Sequence, residues 1–397
     1  MSFQAKRRAG RSMRVLAALC AALVCGAAGA TPRDQAKRIH DRLVGVPPDP
    51  ATLDQMTALV STGQPADALQ AAEIAMHNPA FYRTALKNFI TPWTNVDRTV
   101  FADLNDYTAT VIGIIRDERP FTDVLTADVV YVGTPAAVST PYSQTDNVHY
   151  QQLDQNQVDL SDPTLFVGVP QSTLPGSQIT AADAAGVITT RAAGEAFFKA
   201  GTNRRMFRFT AINYLCRDLE QLKDVSRPAD RIRQDVNRSP GGDSNIFHTQ
   251  CIGCHSGMDP MAGAFAFFQW DDTAGRTVFT RNQVQPKYLI NANVFPGGYV
   301  TVDDRWDNFW REGPRAELGW RAAASGGFGP KSFGEEIVRS RAFSVCQVEK
   351  VFQQVCFRPP QTSDDANEIE HIADDFEAGN YRMKSVFAEV AVYCMGQ

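Results

Sequence analysis

One short run of the sequence, Cys251-Ile252-Gly253-Cys254-His255, ties the fold to a covalently held group. Two thiols three positions apart can reach the two vinyl groups on one edge of a porphyrin, and the adjacent imidazole then falls beneath the iron. This C-x-x-C-H spacing is the attachment signature of a c-type haem. The sequence therefore predicts one haem c, bound through Cys251 and Cys254, with His255 as the proximal iron ligand.

Two other interpretations of the motif are weaker. A structural zinc site needs a second pair of Cys or His residues at suitable spacing, and none follows the motif. A dithiol redox site would lie in a βαβ context, which the surrounding sequence does not show. Chance would place the pattern in about two chains per thousand of this composition, so haem is the interpretation retained.

The first thirty residues have the pattern of a secretory signal peptide. Five basic residues precede the apolar run 15–24, and Ala28-Gly29-Ala30 follows it. The apolar run is shorter than the roughly 20 residues of a membrane span, although a retained signal anchor is the alternative. We therefore expect residues 1–30 to be removed and the protein to be periplasmic or otherwise exported.

Charge and hydropathy limit the partners. Removing five positive charges from 39 basic residues, against 44 acidic ones, leaves a net charge of −10 on the expected mature chain. That balance argues against a nucleic-acid partner. No later stretch is apolar enough to span a bilayer, so we expect no membrane span after signal removal.

The hydrophobic pattern predicts a mainly α-helical protein in several parts. After the signal peptide, region 31–133 is helical, 134–190 is a polar insertion or long loop, 191–331 binds the haem, and 332–397 is helical again. Asp49-Pro50 is a helix start. Three carboxyl-terminal helices with short turns predict a compact three-helix unit. Specific apolar faces support these assignments: Phe101, Leu104, Tyr107, Val111 and Ile114; Met206, Phe209 and Ile212; Val345, Val348, Phe352 and Val355; Ile369, Ile372 and Phe376; Met383, Val386, Phe387 and Val390.

Four cysteines remain outside the signal peptide and the motif. In an up-down-up bundle the first and third helices run parallel, which brings Cys356 and Cys394 to the same end. We therefore predict a Cys356–Cys394 disulfide and leave Cys216 and Cys346 as the second pair. Four buried free thiols are the alternative.

The residues around the motif extend its pattern. They are Met258-Asp259-Pro260-Met261, Ala264-Phe265, Phe268, Trp270-Asp271 and Gly275-Arg276, then Ala342-Phe343, Arg358-Pro359 and 379–382, and more loosely 42–49 and 120–128. In these residues the chain resembles a family of planctomycete-type cytochrome c proteins built from consecutive domains of unknown function, in which a C-x-x-C-H haem domain precedes a helical carboxyl-terminal domain. The Gly-x-Arg turn of that family lacks its spacer here, and segment 134–190 is a further departure. The resemblance implies a haem protein and supplies no substrate.

The sixth iron ligand stays open. Met258 and Met261 follow His255 too closely to wrap to the opposite face, and core packing is the favoured role of Met383. His248 and His371 are favoured as surface or capping residues. Two further methionines could reach the iron only through tertiary folding: Met206 and Met395.

Other polar residues near the motif have alternative roles. Four arginines could bind haem propionates, although a solvated helix face is favoured: Arg227, Arg231, Arg233 and Arg238. Asp259 is expected to cap the turn after the haem histidine. Catalytic residues stay unknown.

Three functions are compatible with this sequence. The favoured one is a periplasmic monohaem c-type cytochrome that transfers single electrons to an unidentified redox partner protein. The second is a haem enzyme with an open distal site, peroxidase-like or oxygen-activating. The third is a binding or structural module that the haem stabilises.

Overall fold

A computed structural model of the chain describes residues 29–199 and 201–396. All but the last two residues of the expected signal peptide, 1–30, lie outside the described residues. The described chain is mainly helical, as predicted from the hydrophobic pattern. None of its helices has the length and apolar character needed to cross a bilayer.

Sixteen α-helices occur in the described residues, and several are single turns. They are α1 (Pro32–Val44), α2 (Pro50–Val60), α3 (Pro65–Met76), α4 (Lys87–Ile90), α5 (Asp106–Arg116), α6 (Asp123–Thr126), α7 (Val148–Gln155), α8 (Arg191–Phe197), α9 (Arg204–Leu215), α10 (Leu219–Leu222), α11 (Ser244–Ile246), α12 (Ile252–Ala262), α13 (Gly329–Val338), α14 (Arg341–Cys356), α15 (Ser363–Ala378) and α16 (Met383–Tyr393). Two π-helical segments, Phe81–Leu86 and Phe247–Cys251, lead into α4 and α12.

In the same described residues, three small antiparallel sheets of two strands each accompany the helices. Their strands are β1 (Val130–Gly133) with β2 (Phe166–Val169), β3 (Phe268–Asp271) with β4 (Arg276–Phe279), and β5 (Arg305–Asp307) with β6 (Gly326–Phe328). The registers pair Tyr131 with Gly168, Trp270 with Thr277 and Trp306 with Gly327. Each sheet is therefore a local two-stranded element that lies beside the helices, and the strands do not form a separate layer of the fold.

Capping signals place several helix starts as expected. Asp49 accepts hydrogen bonds from the backbone of Ala51 and Thr52, with Pro50 as the first helical residue of α2. The prediction for α5 was wrong at its start: Asn105 caps that helix, and Phe101 lies outside it with 91% of its surface exposed.

Segment 134–190 is folded, contrary to the expectation of a long loop. It contains α7 and β2, and the side chains of Tyr150, Leu153 and Phe166 are buried. Arg116 of α5 donates a hydrogen bond of 2.6 Å to the carbonyl of Phe166. The buried apolar residues of this segment are separated by many polar ones, so the sequence shows neither the helical nor the strand periodicity.

The last three helices, α14 to α16, contact one another with the predicted faces inward. Thr362 and Asp365 form a capping box at the start of α15. The structure joins Cys356 to Cys394, as the bundle geometry predicts, and Cys216 to Cys346, with Cα atoms 5.6 and 5.3 Å apart. The expectation of four free thiols is thereby excluded.

These helices share one continuous apolar core with the amino-terminal ones. Helix α16 packs on α3, and α14 packs on α9. Helix α1 also binds the residues that follow α16. Gln35 donates to the carbonyl of Gly396 at 2.6 Å, and Arg38 donates to that of Met395 at 3.1 Å. The two ends of the described chain are therefore held together.

Candidate haem attachment site

The motif lies on a nearly continuous helical run that begins with α11, passes through the π-helical segment and ends with α12. Residues at positions i, i+3 and i+4 of a helix lie on the same face. This spacing places the side chains of Cys251, Cys254 and His255 on one face of the helix. A flat group that joined all three would lie along that face.

Other faces of α12 are closely covered. A Cβ atom on Gly253 would lie 2.5 Å from Cγ of Lys223, and one on Gly257 would lie 2.0 Å from Cε2 of Trp310. Glycine at these positions lets the helix approach its neighbours, and the motif face stays partly exposed.

The two thiols of the motif are free and partly exposed, whereas the other four cysteines of the described chain are paired. Cys251 packs on a small apolar cluster formed by Ile232, Val236 and Phe247. Burial, followed by the charge of Glu220, raises the pKa of the Cys254 thiol. Both sulfurs thus remain available for thioether bonds.

His255 is held by the carboxylate one helical turn further along. Its Nδ1 lies 3.0 Å from Oδ1 of Asp259, and 22% of its side chain is exposed, while the Asp259 side chain has no exposed surface. Because a carboxylate can only accept, Nδ1 carries a proton, and in the neutral form of the imidazole the lone pair is then on Nε2. That nitrogen is the one an iron ion would require. This pairing was not predicted from the sequence, although the i, i+4 spacing of the two residues could have indicated it.

Asp259 is itself fixed by arginine. Arg204, the first residue of α9, donates from Nε to Oδ1 at 2.7 Å and from Nη2 to Oδ2 at 2.8 Å. The backbone N–H of Arg233 donates to Oδ2 at 3.2 Å. Burial alone would raise the pKa of Asp259, but Arg204 and His255 hold it well below its usual range. Asp259 is therefore an ionised, buried anchor for the imidazole. The expectation that it caps a turn was wrong, because it lies inside α12 and accepts no hydrogen bond from the backbone of that helix.

The arginines before the motif do not form a solvated helix face, because residues 223–238 are irregular. Arg231 pairs with Asp307, and Arg233 is buried and donates to the carbonyl of Asp259 at 2.8 Å. Arg238 donates to two backbone carbonyls and lies over the rings of Phe247 and Phe295. That expectation was wrong. Arg227 lies 3.2 Å from Asp224 and 3.3 Å from Glu312.

The residues considered as a sixth ligand are mostly occupied elsewhere. Side chains of four methionines are buried in the main core: Met206, Met258, Met261 and Met383. His248 is exposed on the π-helical segment, and His371 lies 3.6 Å from Asp375 on the surface of α15. Met395 is half-buried beside the carboxyl-terminal helix.

Within residues 29–199 and 201–396, no three His, Cys, Asp or Glu side chains converge on a point that could hold a metal ion. In this conformation the motif thus lacks the converging ligands of a tetrahedral zinc site. The donor set instead fits the attachment chemistry of haem c, in which two sulfurs bind the porphyrin edge and one imidazole nitrogen faces the iron.

Comparison of the chain with protein-family models, with curated proteins and with solved structures found no match.

Proposed function

We propose that this protein is a monohaem c-type cytochrome that transfers single electrons to a redox partner protein. The observation that carries the proposal is the arrangement of the motif: two free thiols and one histidine share a helix face, and the Nδ1 of that histidine is already occupied. The resemblance to the planctomycete-type cytochromes supports the same function. A bound haem supplies an iron that changes its oxidation state by one electron.

The residues of the chain divide the work of holding that group. Cys251 and Cys254 would hold the porphyrin edge through thioether bonds, and His255 would bind the iron through Nε2. Asp259 keeps the imidazole in the required tautomer, and Arg204 keeps Asp259 charged.

Export to the periplasm is part of this proposal. Its support is the signal-like pattern of residues 1–30, together with two disulfides, which persist mainly in oxidising compartments. A cytochrome c-like haem segment, followed by a carboxyl-terminal three-helix unit, is the architecture we propose for the two later parts.

The test is expression with residues 1–30 in a bacterial host that has the haem attachment machinery. We expect a coloured protein with a Soret band whose haem stays on the denatured chain and adds the mass of one haem. The double variant C251A/C254A should be colourless. A colourless wild-type protein of unmodified mass would contradict the proposal.

A matched pair of histidine variants tests the iron ligand. His255→Ala should retain covalent haem but change the spectrum of the ferric form, because the iron loses its protein nitrogen. His371→Ala, at an exposed histidine far along the chain, should leave the spectrum as in the wild type.

A haem enzyme with an open distal site is the second candidate. The observation in its favour is the hydrogen bond from Nδ1 of His255 to the Asp259 carboxylate. This bond makes Nε2 a stronger electron donor to a bound iron and so favours the oxidised iron. A ferric spectrum that does not respond to cyanide or peroxide indicates the carrier, whereas one that responds to both indicates the enzyme.

A further inference from the structure

A chain of four charged or polar side chains runs inward from the motif. His255 contacts Asp259, Asp259 contacts Arg204, and Arg204 also contacts Asp235, through Nη1 at 2.6 Å and Nη2 at 2.8 Å. Only 13% of the Asp235 side chain is exposed. Arg204 is thus gripped on two sides by carboxylates.

The position of Arg204 is set by contacts with the backbone that follows α12. It begins α9, and the preceding Asn203 donates to the carbonyls of Phe265 and Phe268, just beyond α12. Arg233 adds a second clamp, because its side chain donates to the carbonyl of Asp259. The carboxylate of Asp259 therefore has little freedom to move away from His255.

We propose that Asp259 is a positioning residue that sets the reduction potential of this site by making His255 a strongly donating ligand. The inference rests on the proposed function, since it concerns the same histidine. An ionised acceptor makes a stronger hydrogen bond than a neutral carbonyl does. The negative charge at Nδ1 raises the basicity of Nε2 and so stabilises ferric over ferrous iron.

The surroundings of the Asp259 carboxylate favour its ionised form. Its two oxygens accept from Arg204, from the backbone N–H of Arg233 and from His255, so both are already used as acceptors. A proton on either oxygen would displace one of these donors. Asp259 thus presents a fixed negative charge to the imidazole.

The experiment is a spectroelectrochemical titration of Asp259→Asn and wild-type holoprotein, with covalent haem first verified by mass. Asparagine keeps the shape and offers only a neutral acceptor. We expect the preference for ferric iron to fall about tenfold, which raises the midpoint potential by about 59 mV for one electron. Asp259→Glu, which keeps the charge, should recover part of that difference.

The control is Asp235→Asn, which removes a negative charge from the same cluster without touching His255. We expect less than a third of the Asp259→Asn shift, because only the long-range charge effect remains. Equal shifts in the two variants would overturn the inference. A loosened site that admits water would instead favour the charged ferric form and lower the potential, so the sign separates positioning from structural damage.

A second measurement covers the case in which Asp259→Asn does not fold. In reduced wild-type holoprotein labelled with ¹⁵N-histidine, the Nδ1 proton of His255 should be present and exchange slowly with water. A rapidly exchanging or absent Nδ1 proton overturns the inference. Wild-type protein without covalent haem contradicts the proposed function instead, so the two failures are distinguishable.

Discussion

Three buried carboxylates in this protein are held by arginine side chains. Asp259 is bound by Arg204, Glu336 by Arg311 and Asp365 by Arg358, and the carboxylate side chains are at most 1% exposed. A buried charge without such a partner would be strongly destabilising. At the residue scale, fixed charges thus stabilise both the candidate site and the carboxyl-terminal helices.

Glu389 of α16 has a different environment. Burial, followed by the charges of Asp375 and Glu368, raises its pKa to about 7 from the ordinary 4.5. Between these two values the folded protein keeps a proton that the unfolded chain has released. Stability contributed by this proton is therefore present below about pH 4.5 and is lost as the pH rises through 7.

Glu389→Gln should remove that pH dependence. We expect the variant and the wild type to have similar Tm values at pH 5 and the variant to have the higher Tm at pH 8. Thermal unfolding followed by circular dichroism checks this. Glu335→Gln, at an exposed position of α13, should follow the wild type, and an equal gain in that control would refute the explanation.

Single residues also show how far the sequence could predict the site. The motif and the Cys356–Cys394 bridge follow from spacing and helix direction, which are local properties. Arg204 and Asp235 join the site only through tertiary folding, because they lie 55 and 24 positions from Asp259. No periodicity in the sequence connects them.

At the scale of elements, sharp local signals gave the helices that were predicted well. Thr362 caps α15 and Asp49 caps α2 as expected. The apolar spacing from Phe101 to Ile114 suggested a longer helix, but Asn105 provides the stronger start signal and excludes Phe101. Strand β2 of segment 134–190 pairs with β1, which precedes the segment. The paired residues are more than thirty positions apart, so a short window of sequence does not show the pairing.

Arg116 attaches that segment to α5. Its guanidinium lies over the rings of Tyr131 and Phe166 and donates to the carbonyls of Phe166 and Leu160. Arg116→Met should leave buried carbonyls unpaired and lower the free energy of unfolding by about 2 kcal/mol.

The Arg116→Met substitution should lower stability locally as well as in global unfolding. We expect faster amide hydrogen exchange in residues 158–169 of the Arg116→Met variant, with little change in α14. Arg339→Met, which alters an exposed arginine after α13, is the matched control. Unchanged exchange in 158–169 would mean that another contact holds the segment.

At the scale of the whole molecule, two disulfides cross-link the part of the chain that the structure describes, and they enclose very different lengths of chain. The Cys216–Cys346 bridge spans 130 positions and encloses the motif, whereas the Cys356–Cys394 bridge spans 38. In the chain-entropy model, closing these loops stabilises the fold by about 5 and about 4 kcal/mol.

Removing each disulfide separately tests whether the longer loop gives the larger stabilisation. The double variant C216S/C346S should lose about 1 kcal/mol more than C356S/C394S in chemical denaturation under oxidising conditions. Wild-type protein under reducing conditions should be less stable than either variant under oxidising conditions. A larger loss for C356S/C394S would show that local packing around that bridge outweighs loop length.

The hydrogen bonds of α1 to Met395 and Gly396 have a consequence for biosynthesis. A ribosome releases α1 more than three hundred residues before it releases α16, a delay on the order of tens of seconds. Throughout that interval the first helix lacks its final partner. If the chain is exported as proposed, residues 251 and 254 also reach the periplasm ahead of α16, so haem can be attached before the last helix packs on α1.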